Sequence, residues 1–519
     1  MRRIGLLVVL FPVLGAALGC GHTRPADPKA APSPWPSETS PAPAPGGPAA
    51  PMRSSVPVAD APLPTTPAPK DRAIPEEDAP RPFSPPVPQR ARLANGMDVL
   101  LVKRTNLPII SFTMVWPSGA ADDPPQRAGM AALTSSLVTE GAGSRSALEL
   151  AAEVQRLGAR LSAQSTWDAT TVSLTTLQKV VDPALGLLAD LVLRPHLAAP
   201  DLERIRSESR TTLLQANDQA ATQAAIAGAR ALYGDNSRYG ALVTGSPEGL
   251  AAIKRDEVVA WHRDRLSVRR TTLIAVGDID MPALRVKLEQ LFPAAGKATH
   301  QLPPAKEISA IRTDRAVVLV DRPGAAQTEL RAYAAGPTRF TADYFPLLVM
   351  NTIFGGNFSS WLNAKLREEK GYTYGARSDF AFRRNGGPFT AGAPVKTAVT
   401  RPALVDLLAQ LERLERGEMV EVELRIAKQQ LRRSMTRYFD TSPDVALALA
   451  ALAVYGLPDD YYATYADKVQ RVTLADLARV AHKLRAAKMS LVFVGDEKII
   501  GQDIKDVVGT YQKVDVSPR

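Results

Sequence analysis

The chain has 519 residues, more than one ordinary hydrophobic core accommodates, and this length predicts two or three domains. Its composition, with 45% hydrophobic and 22% charged residues, excludes a fibrous or wholly disordered protein. A single cysteine excludes a disulfide scaffold and a cysteine-rich metal site. The net charge of +10 comes from 63 basic and 53 acidic side chains without a dense basic run, which argues against nucleic-acid binding.

Residues 1–19 are expected to form a signal peptide. Arg2 and Arg3 precede an uncharged, mostly apolar stretch over 4–18, which is shorter than the roughly 18–20 residues that span a bilayer. The sequence Ala17-Leu18-Gly19-Cys20 resembles the lipobox of bacterial lipoproteins, which implies that Cys20 is lipid-modified. The alternative is an ordinary secretory signal with an incidental cysteine. We therefore expect a lipid-anchored protein of the cell envelope, on the periplasmic face of the outer membrane.

Residues 20–89 are expected to form a disordered tether. Between Gly21 and Arg90 lie 21 of the 43 prolines, mixed with alanine, serine and threonine. Because such a segment cannot bury a core, it predicts an extended, semi-rigid spacer.

The remaining sequence is internally duplicated. Two apolar runs over 271–278 and 489–496 both end in Val-Gly-Asp, and each follows a basic helical stretch. Further strands are predicted near the start of each half, over 97–103 and 109–116 and then over 316–321 and 328–335. Repeats of this length indicate duplicated domains. We expect domains over 90–300 and 301–519, with the boundary between Lys297 and Thr313.

Helical periodicity separates these strands. Apolar residues recur at three- and four-residue steps over 146–157, 183–193 and 403–416. Strands mixed with helices in each half predict an α+β fold, with two homologous domains that each pack a mainly antiparallel sheet against helices.

Several segments together resemble the pitrilysin/insulinase family of zinc peptidases, including mitochondrial processing peptidase and its bacterial relatives. In the first half they are Leu93-Ala94-Asn95-Gly96-Met97, Gly129-Met130-Ala131, Ser144-Arg145-Ser146, and Tyr239-Gly240 with Gly245. In the second half they are Arg322-Pro323-Gly324-Ala325-Ala326-Gln327, Phe354-Gly355-Gly356-Asn357-Phe358-Ser359-Ser360 and Leu366-Arg367-Glu368-Glu369-Lys370-Gly371-Tyr372-Thr373-Tyr374. Their order and spacing carry the resemblance.

The zinc site of that family is missing. Active members carry His-x-x-Glu-His on a helix, with two histidines as zinc ligands and the glutamate as general base. The resemblance puts Ala132 and Ser136 at the histidine positions, Ser135 at the glutamate, and Thr211 and Thr212 near a later glutamate ligand. No His-x-x-Glu-His occurs in the five-histidine sequence, so we expect no metal and no cofactor bound by this chain.

The second half keeps a different part of the machinery. The resemblance implies that Arg367 and Tyr374 bind a peptide substrate and stabilise its tetrahedral intermediate. Arg367 is predicted in the last turn of a helix that stops at Gly371, and Tyr374 on a strand over 372–380. A solvated arginine at a helix end and a tyrosine in a sheet are the alternative. Gly355 and Gly356 are expected to form a turn beside the cleft, or simply a loop before a helix.

Two hypotheses follow. In the first, the chain is the non-catalytic, substrate-binding subunit of a two-chain zinc metallopeptidase that acts on peptides or unfolded proteins, and a sister chain of the same family supplies the zinc. In the second, it is a peptidase-like scaffold or peptide-binding protein without a proteolytic role.

The Arg383-Arg384 pair, beside Asn385-Gly386-Gly387, is predicted to lie at a solvated hairpin tip.

Overall fold

The computed structural model describes residues 83–124, 126–293 and 314–516. The predicted signal peptide, Cys20, nearly all of the tether and the predicted boundary between the halves lie outside these residues. The described residues from Ser84 onward belong to one compact unit. Among the described residues, no helix has both the length and the apolar character that crossing a bilayer requires.

The first half alternates strands and helices. Its strands are β1 (Gln89–Arg92), β2 (Asp98–Lys103), β3 (Ile109–Trp116), β4 (Gly141–Ala142), β5 (Arg145–Ser146), β6 (Arg160–Ser165), β7 (Thr170–Leu177) and β8 (Thr272–Gly277). Its helices are α1 (Met130–Val138), α2 (Ala147–Arg156), α3 (Val181–Leu193), α4 (Ala199–Asn217), α5 (Ala220–Tyr233), α6 (Pro247–Ala252), α7 (Arg255–Arg265) and α8 (Met281–Leu291).

The second half repeats this alternation. Its strands are β9 (Val317–Asp321), β10 (Gln327–Gly336), β11 (Arg377–Phe380), β12 (Gly387–Lys396), β13 (Ser490–Gly495) and β14 (Gln512–Lys513). Its helices are α9 (Tyr344–Phe354), α10 (Trp361–Asn363), α11 (Thr400–Glu415), α12 (Glu421–Met435), α13 (Ser442–Tyr455), α14 (Tyr465–Gln470), α15 (Leu474–Ala481) and α16 (Glu497–Val508). A π-helical turn, Ala364–Glu369, continues α10.

Two six-stranded sheets confirm the predicted α+β fold. Their strand orders are β1-β2-β8-β3-β7-β6 and, read from the opposite edge, β14-β9-β13-β10-β12-β11. In each sheet the strand ending in Val-Gly lies in the middle, parallel to one neighbour and antiparallel to the other. Strand β8 therefore lies between β2 and β3, and β13 lies between β9 and β10, because the helices that precede β8 and β13 return the chain to the centre of the sheet.

Each sheet is also covered by a helix from the other half. Helix α13 packs against β3 and β8 of the first sheet, and α5 packs against β9, β10 and β13 of the second. At the second contact the Tyr333 hydroxyl donates to the Ala224 carbonyl at 3.0 Å. A β-carbon on Gly228 would lie 2.5 Å from the Tyr333 ring, so only glycine permits this approach. The two halves therefore share their buried cores.

The three predicted helices are confirmed with small shifts at their ends, as α2, α3 and α11. Helix α2 begins at a capping box in which Ser146 and Glu149 satisfy each other's backbone N–H groups. Local signals of this kind sufficed to place the helices.

Candidate functional site

Helix α1 carries the positions where the resemblance expects zinc ligands. Gly129, with φ of 105°, begins the helix, and the buried Asp123 carboxylate accepts the N–H groups of Gly129 and Ala131 at 2.8 and 2.9 Å. Arg238 pairs with the same carboxylate at 2.9 Å. Burial raises the pKa of Asp123, whereas Arg238 and the two N–H groups oppose that shift. The start of α1 is thus firmly held.

The side chains at the predicted zinc positions do not fit the metal. Ala132 has no ligand atom, and the hydroxyls of Ser135 and Ser136 both donate to the Ala132 carbonyl, at 2.8 and 3.2 Å. On α4, the Thr212 hydroxyl donates to the Glu208 carbonyl at 3.0 Å. Zinc in proteins takes thiolate, imidazole and carboxylate ligands rather than neutral hydroxyls. Within the described ranges, no group of three or more histidine, cysteine, aspartate and glutamate residues is arranged to hold a metal ion.

The carboxylates beside α1 and α4 are already paired. Arg204 of α4 forms ion pairs with Glu140, just beyond the end of α1, and with Glu208 at 3.0 Å. Ser135 is buried at 2% exposure, so its hydroxyl is closed off from solvent. The helix is packed as a structural element.

Arg367 lies in the π-helical turn that follows α10. Its side chain is 32% exposed, and its guanidinium stacks over the Phe358 ring at 4.2 Å from the centroid. Its Nη1 lies 3.1 Å from the Glu368 carboxylate, in an ion pair without hydrogen-bond geometry. Phe358 is itself 48% exposed. The structure therefore presents a partly exposed arginine that contacts an aromatic ring and whose Nη1 is buried without a hydrogen-bond partner.

Tyr374 is 90% exposed and lies in a loop, so its predicted place on a strand over 372–380 is wrong. The strand begins only at Arg377. Two hydrogen bonds tie the loop to the helix that carries Arg367: Tyr372 N–H donates to the Leu366 carbonyl at 2.9 Å, and Ala376 N–H to Asn363 Oδ1 at 2.8 Å. Gly371, with φ of 63°, allows the reversal between them, as its predicted role at the helix end requires.

Gly355 and Gly356 end α9 where it passes closely under β11. A β-carbon on Gly355 would meet Ser378 atoms at 2.4 to 2.8 Å, and one on Gly356 would lie 2.9 Å from the Asn351 carbonyl oxygen. Both glycines therefore have a packing role, and their place beside a substrate cleft stays a prediction.

Gly355→Ala is expected to destabilise the fold by about 1–3 kcal/mol, because the methyl group overpacks against a neighbouring strand. Gly186, inside α3, has no atom within 4 Å of an added β-carbon, so Gly186→Ala should instead stabilise by up to about 1 kcal/mol. Urea denaturation of both variants measures the contrast. Equal effects would contradict the packing role of Gly355.

The Arg383–Arg384 pair lies at a hairpin tip, between β11 and β12, but its predicted solvation is wrong. Arg384 is 1% exposed, and its guanidinium donates to the Pro117 carbonyl at 2.7 Å and to both Asp122 oxygens at 2.9 Å. Its backbone N–H and the Tyr455 hydroxyl donate to Asp168, each at 2.9 Å. The hairpin of the second half is thus anchored in the first.

The Arg383 guanidinium contacts the rings of Trp167 and Tyr239, at 4.3 and 4.9 Å from their centroids. The same Trp167 ring stacks on Tyr239 and contacts Arg238, the partner of Asp123. A chain of contacts therefore joins the start of α1 to the β11–β12 hairpin. The sequence held no local signal for it, since the partners are far apart along the chain.

A partly buried carboxyl in this region predicts a pH dependence of stability. Burial raises the pKa of Asp379, on β11, to about 6, although Arg383 opposes the shift. Because the folded pKa exceeds the unfolded value of about 3.9, the stabilisation is full below pH 4 and lost as the pH rises through 6. The free energy of unfolding of the wild type, minus that of Asp379→Asn, should fall by about 1–3 kcal/mol between pH 4 and 7. Urea titrations at each pH measure it, and a difference independent of pH would contradict the assignment.

Comparison with known proteins gives the following likenesses. A family model described as Insulinase (Peptidase family M16) matches residues 99–231, and one described as Peptidase M16 inactive domain matches residues 252–431. An uncharacterized zinc protease of Mycobacterium tuberculosis is 24% identical over 433 residues, which cover 81% of this chain and 97% of that protein.

Two further proteins are similar. The mitochondrial-processing peptidase subunit beta of Lentinula edodes is 22% identical over 281 residues, covering 52% of this chain and 58% of that protein. The crystal structure of a peptidase M16 inactive domain from Pseudomonas fluorescens matches with a TM-score of 0.70 at 25% identity, covering 79% of this chain and 98% of that one. Sequence and fold point to the same group of proteins.

Proposed function

Because the chain belongs to the insulinase (peptidase M16) family, we propose that it is the non-catalytic, substrate-binding subunit of a two-chain zinc metallopeptidase. The observation that carries the proposal is an asymmetry between the halves. Alanine and hydroxyl side chains stand at the metal positions that the resemblance implies for the first half, whereas in the second half Arg367 is partly exposed and Tyr374 is exposed.

Arg367 and Tyr374 have the chemistry that peptide binding requires. A guanidinium and a phenol both donate hydrogen bonds to a carbonyl oxygen, and these bonds strengthen when the oxygen becomes negative. The Phe358 ring packs against the Arg367 guanidinium. The hydrogen bond from Ala376 N–H to Asn363 holds the backbone of the loop that carries Tyr374. Each side chain can therefore donate to a peptide carbonyl without a metal bound by this chain.

The zinc belongs, in this proposal, to a sister chain of the same family that carries His-x-x-Glu-His. Bound there, zinc would activate a water molecule for attack on the peptide carbonyl. One relative of this chain is named as a subunit of a processing peptidase, which supports an assembly of more than one chain. We further propose that lipid on Cys20 holds the protein at the periplasmic face of the outer membrane, and that peptides or unfolded proteins are its substrates.

The test mixes the purified chain with an M16 chain that carries His-x-x-Glu-His and is encoded beside it. Metal analysis of each chain and cleavage of a fluorogenic unfolded peptide are measured separately and together. We expect zinc in the sister chain and cleavage only by the mixture. Zinc and cleavage in this chain alone would overturn the proposal, and a mixture without activity would favour the scaffold hypothesis.

A further inference from the structure

A groove of about 530 Å³ lies between the end of α3, the start and end of α7 and the segment over 195–197. This volume is within the range of about 300–1,000 Å³ that is usual for small-molecule sites. Its apolar lining consists of Val192, Leu193, Pro195, Leu197, Val259, Leu266 and Val268. Leu193 and Val259 are 42% and 37% exposed, so this apolar surface is open to solvent.

The charged residues of the groove are all basic. Arg255, Arg263 and Arg269 belong to its lining, and none of the lining residues that the structure describes is a carboxylate. Arg263 pairs with Asp264 outside the lining, at 2.7 Å. Arg269 is exposed and forms no ion pair with the part of the chain that the structure describes. The groove therefore offers cations to an anionic group beside an apolar surface.

One residue of the groove, Leu197, has an unusual backbone conformation and is held by a hydrogen bond. Leu197 is a buried non-glycine residue with φ of 44°, a strained backbone conformation of the kind that clusters at ligand clamps. Its carbonyl accepts the Arg255 Nε–H at 2.7 Å, which fixes the segment against α7.

Two histidines that lie far apart in the sequence, His196 and His262, both line this groove. His196 Nε2 donates to the Gly143 carbonyl at 2.8 Å, and His262 donates to the Val192 carbonyl. Burial lowers the pKa of His262, although its hydrogen bond to Val192 opposes the shift. The permanent positive charges of the groove are those of its arginines, of which Arg263 and Arg269 are exposed.

We propose that this groove binds a long-chain fatty acid, with the acyl chain on the apolar lining and the carboxylate against Arg263 and Arg269. An acyl chain needs no hydrogen bonds from such a lining, whereas a peptide backbone would leave polar groups without partners there. The anionic head group complements the cations, and the inference is independent of the proposed peptidase role.

The test titrates the purified chain with oleate below its critical micelle concentration, using native mass spectrometry and calorimetry. We expect one oleate per chain, with oleyl alcohol and lysophosphatidylcholine binding at least about tenfold more weakly because they lack a net negative charge. Val259→Glu should weaken oleate binding at least about tenfold, whereas Val286→Glu, at an exposed valine of α8, should not change it.

Charge reversal gives a second measurement. Arg263→Glu/Arg269→Glu should weaken oleate binding about tenfold, whereas Arg285→Glu/Arg401→Glu, with the same change in net charge at exposed sites, should have little effect. Equal binding of oleate and oleyl alcohol would overturn the proposal. So would unchanged affinity in both groove variants, or binding of anionic vesicles without binding of monomeric oleate.

Discussion

Arg384→Met is expected to destabilise the folded chain by about 3–5 kcal/mol, the usual cost of breaking a buried ion pair from one side. The substitution removes the donor to the Pro117 carbonyl and the cation that pairs with Asp122, and leaves this mostly buried carboxylate with only the Ser118 hydroxyl and the Gly119 N–H as donors. Methionine fills a similar volume, so lost electrostatics rather than a cavity dominates. The midpoint of urea denaturation, monitored by circular dichroism, measures the effect.

Arg401 provides the matched control. It pairs with Asp506 at 2.7 Å, about as closely as Arg384 pairs with Asp122, but its side chain is 52% exposed. Arg401→Met should therefore cost less than about 1 kcal/mol. Asp122→Asn combined with Arg384→Met should cost less than the sum of the single variants, because they remove one shared interaction. If the losses of stability in the double variant were additive, or if Arg384→Met and Arg401→Met cost the same, the Arg384–Asp122 ion pair would not be a buried contact that holds the two halves together.

The burial of Arg384 shows where sequence reasoning stops. Glycine and asparagine beside two arginines correctly predicted a hairpin tip, because turn chemistry is local. The predicted solvation of Arg384 was wrong, because its partners Asp122 and Asp168 precede it by 262 and 216 residues and no local pattern could indicate them. Only the packing of one half on the other brings these charges together.

The same distinction applies to the sheets and to the candidate site. The repeated Val-Gly-Asp runs and their similar flanking segments predicted a duplication, but the central position of these strands depends on long-range pairing. Gly371, as the end of a helix, correctly predicted that Arg367 lies in the last helical turn, yet nothing local indicated that the strand would begin only after Tyr374. His196 and His262 meet in one groove although 66 residues separate them, as their numbers show.

Arg367→Ala is expected to lower cleavage by the two-chain mixture about 100- to 1,000-fold, the usual effect of removing one donor to a developing oxyanion. Most of the loss should appear in kcat, because the hydrogen bond strengthens as the carbonyl oxygen becomes negative. Phe358 already contacts the guanidinium, so the arginine needs little reorganisation to act. Arg367→Lys should restore only part of the rate, since an ammonium lacks the planar fork of donors.

Tyr374→Phe removes a single hydroxyl from a side chain that is 90% exposed, so the fold has no reason to change. We expect cleavage to fall about 10- to 100-fold, again mainly in kcat. Arg377→Ala, at an exposed arginine on the neighbouring strand, is the control for loss of charge and should leave the rate unchanged. Each variant must still associate with the sister chain, which gel filtration establishes. If Arg367→Ala and Tyr374→Phe both cleave at the wild-type rate in an intact assembly, the substrate does not meet this chain at these residues, and its role is that of a scaffold.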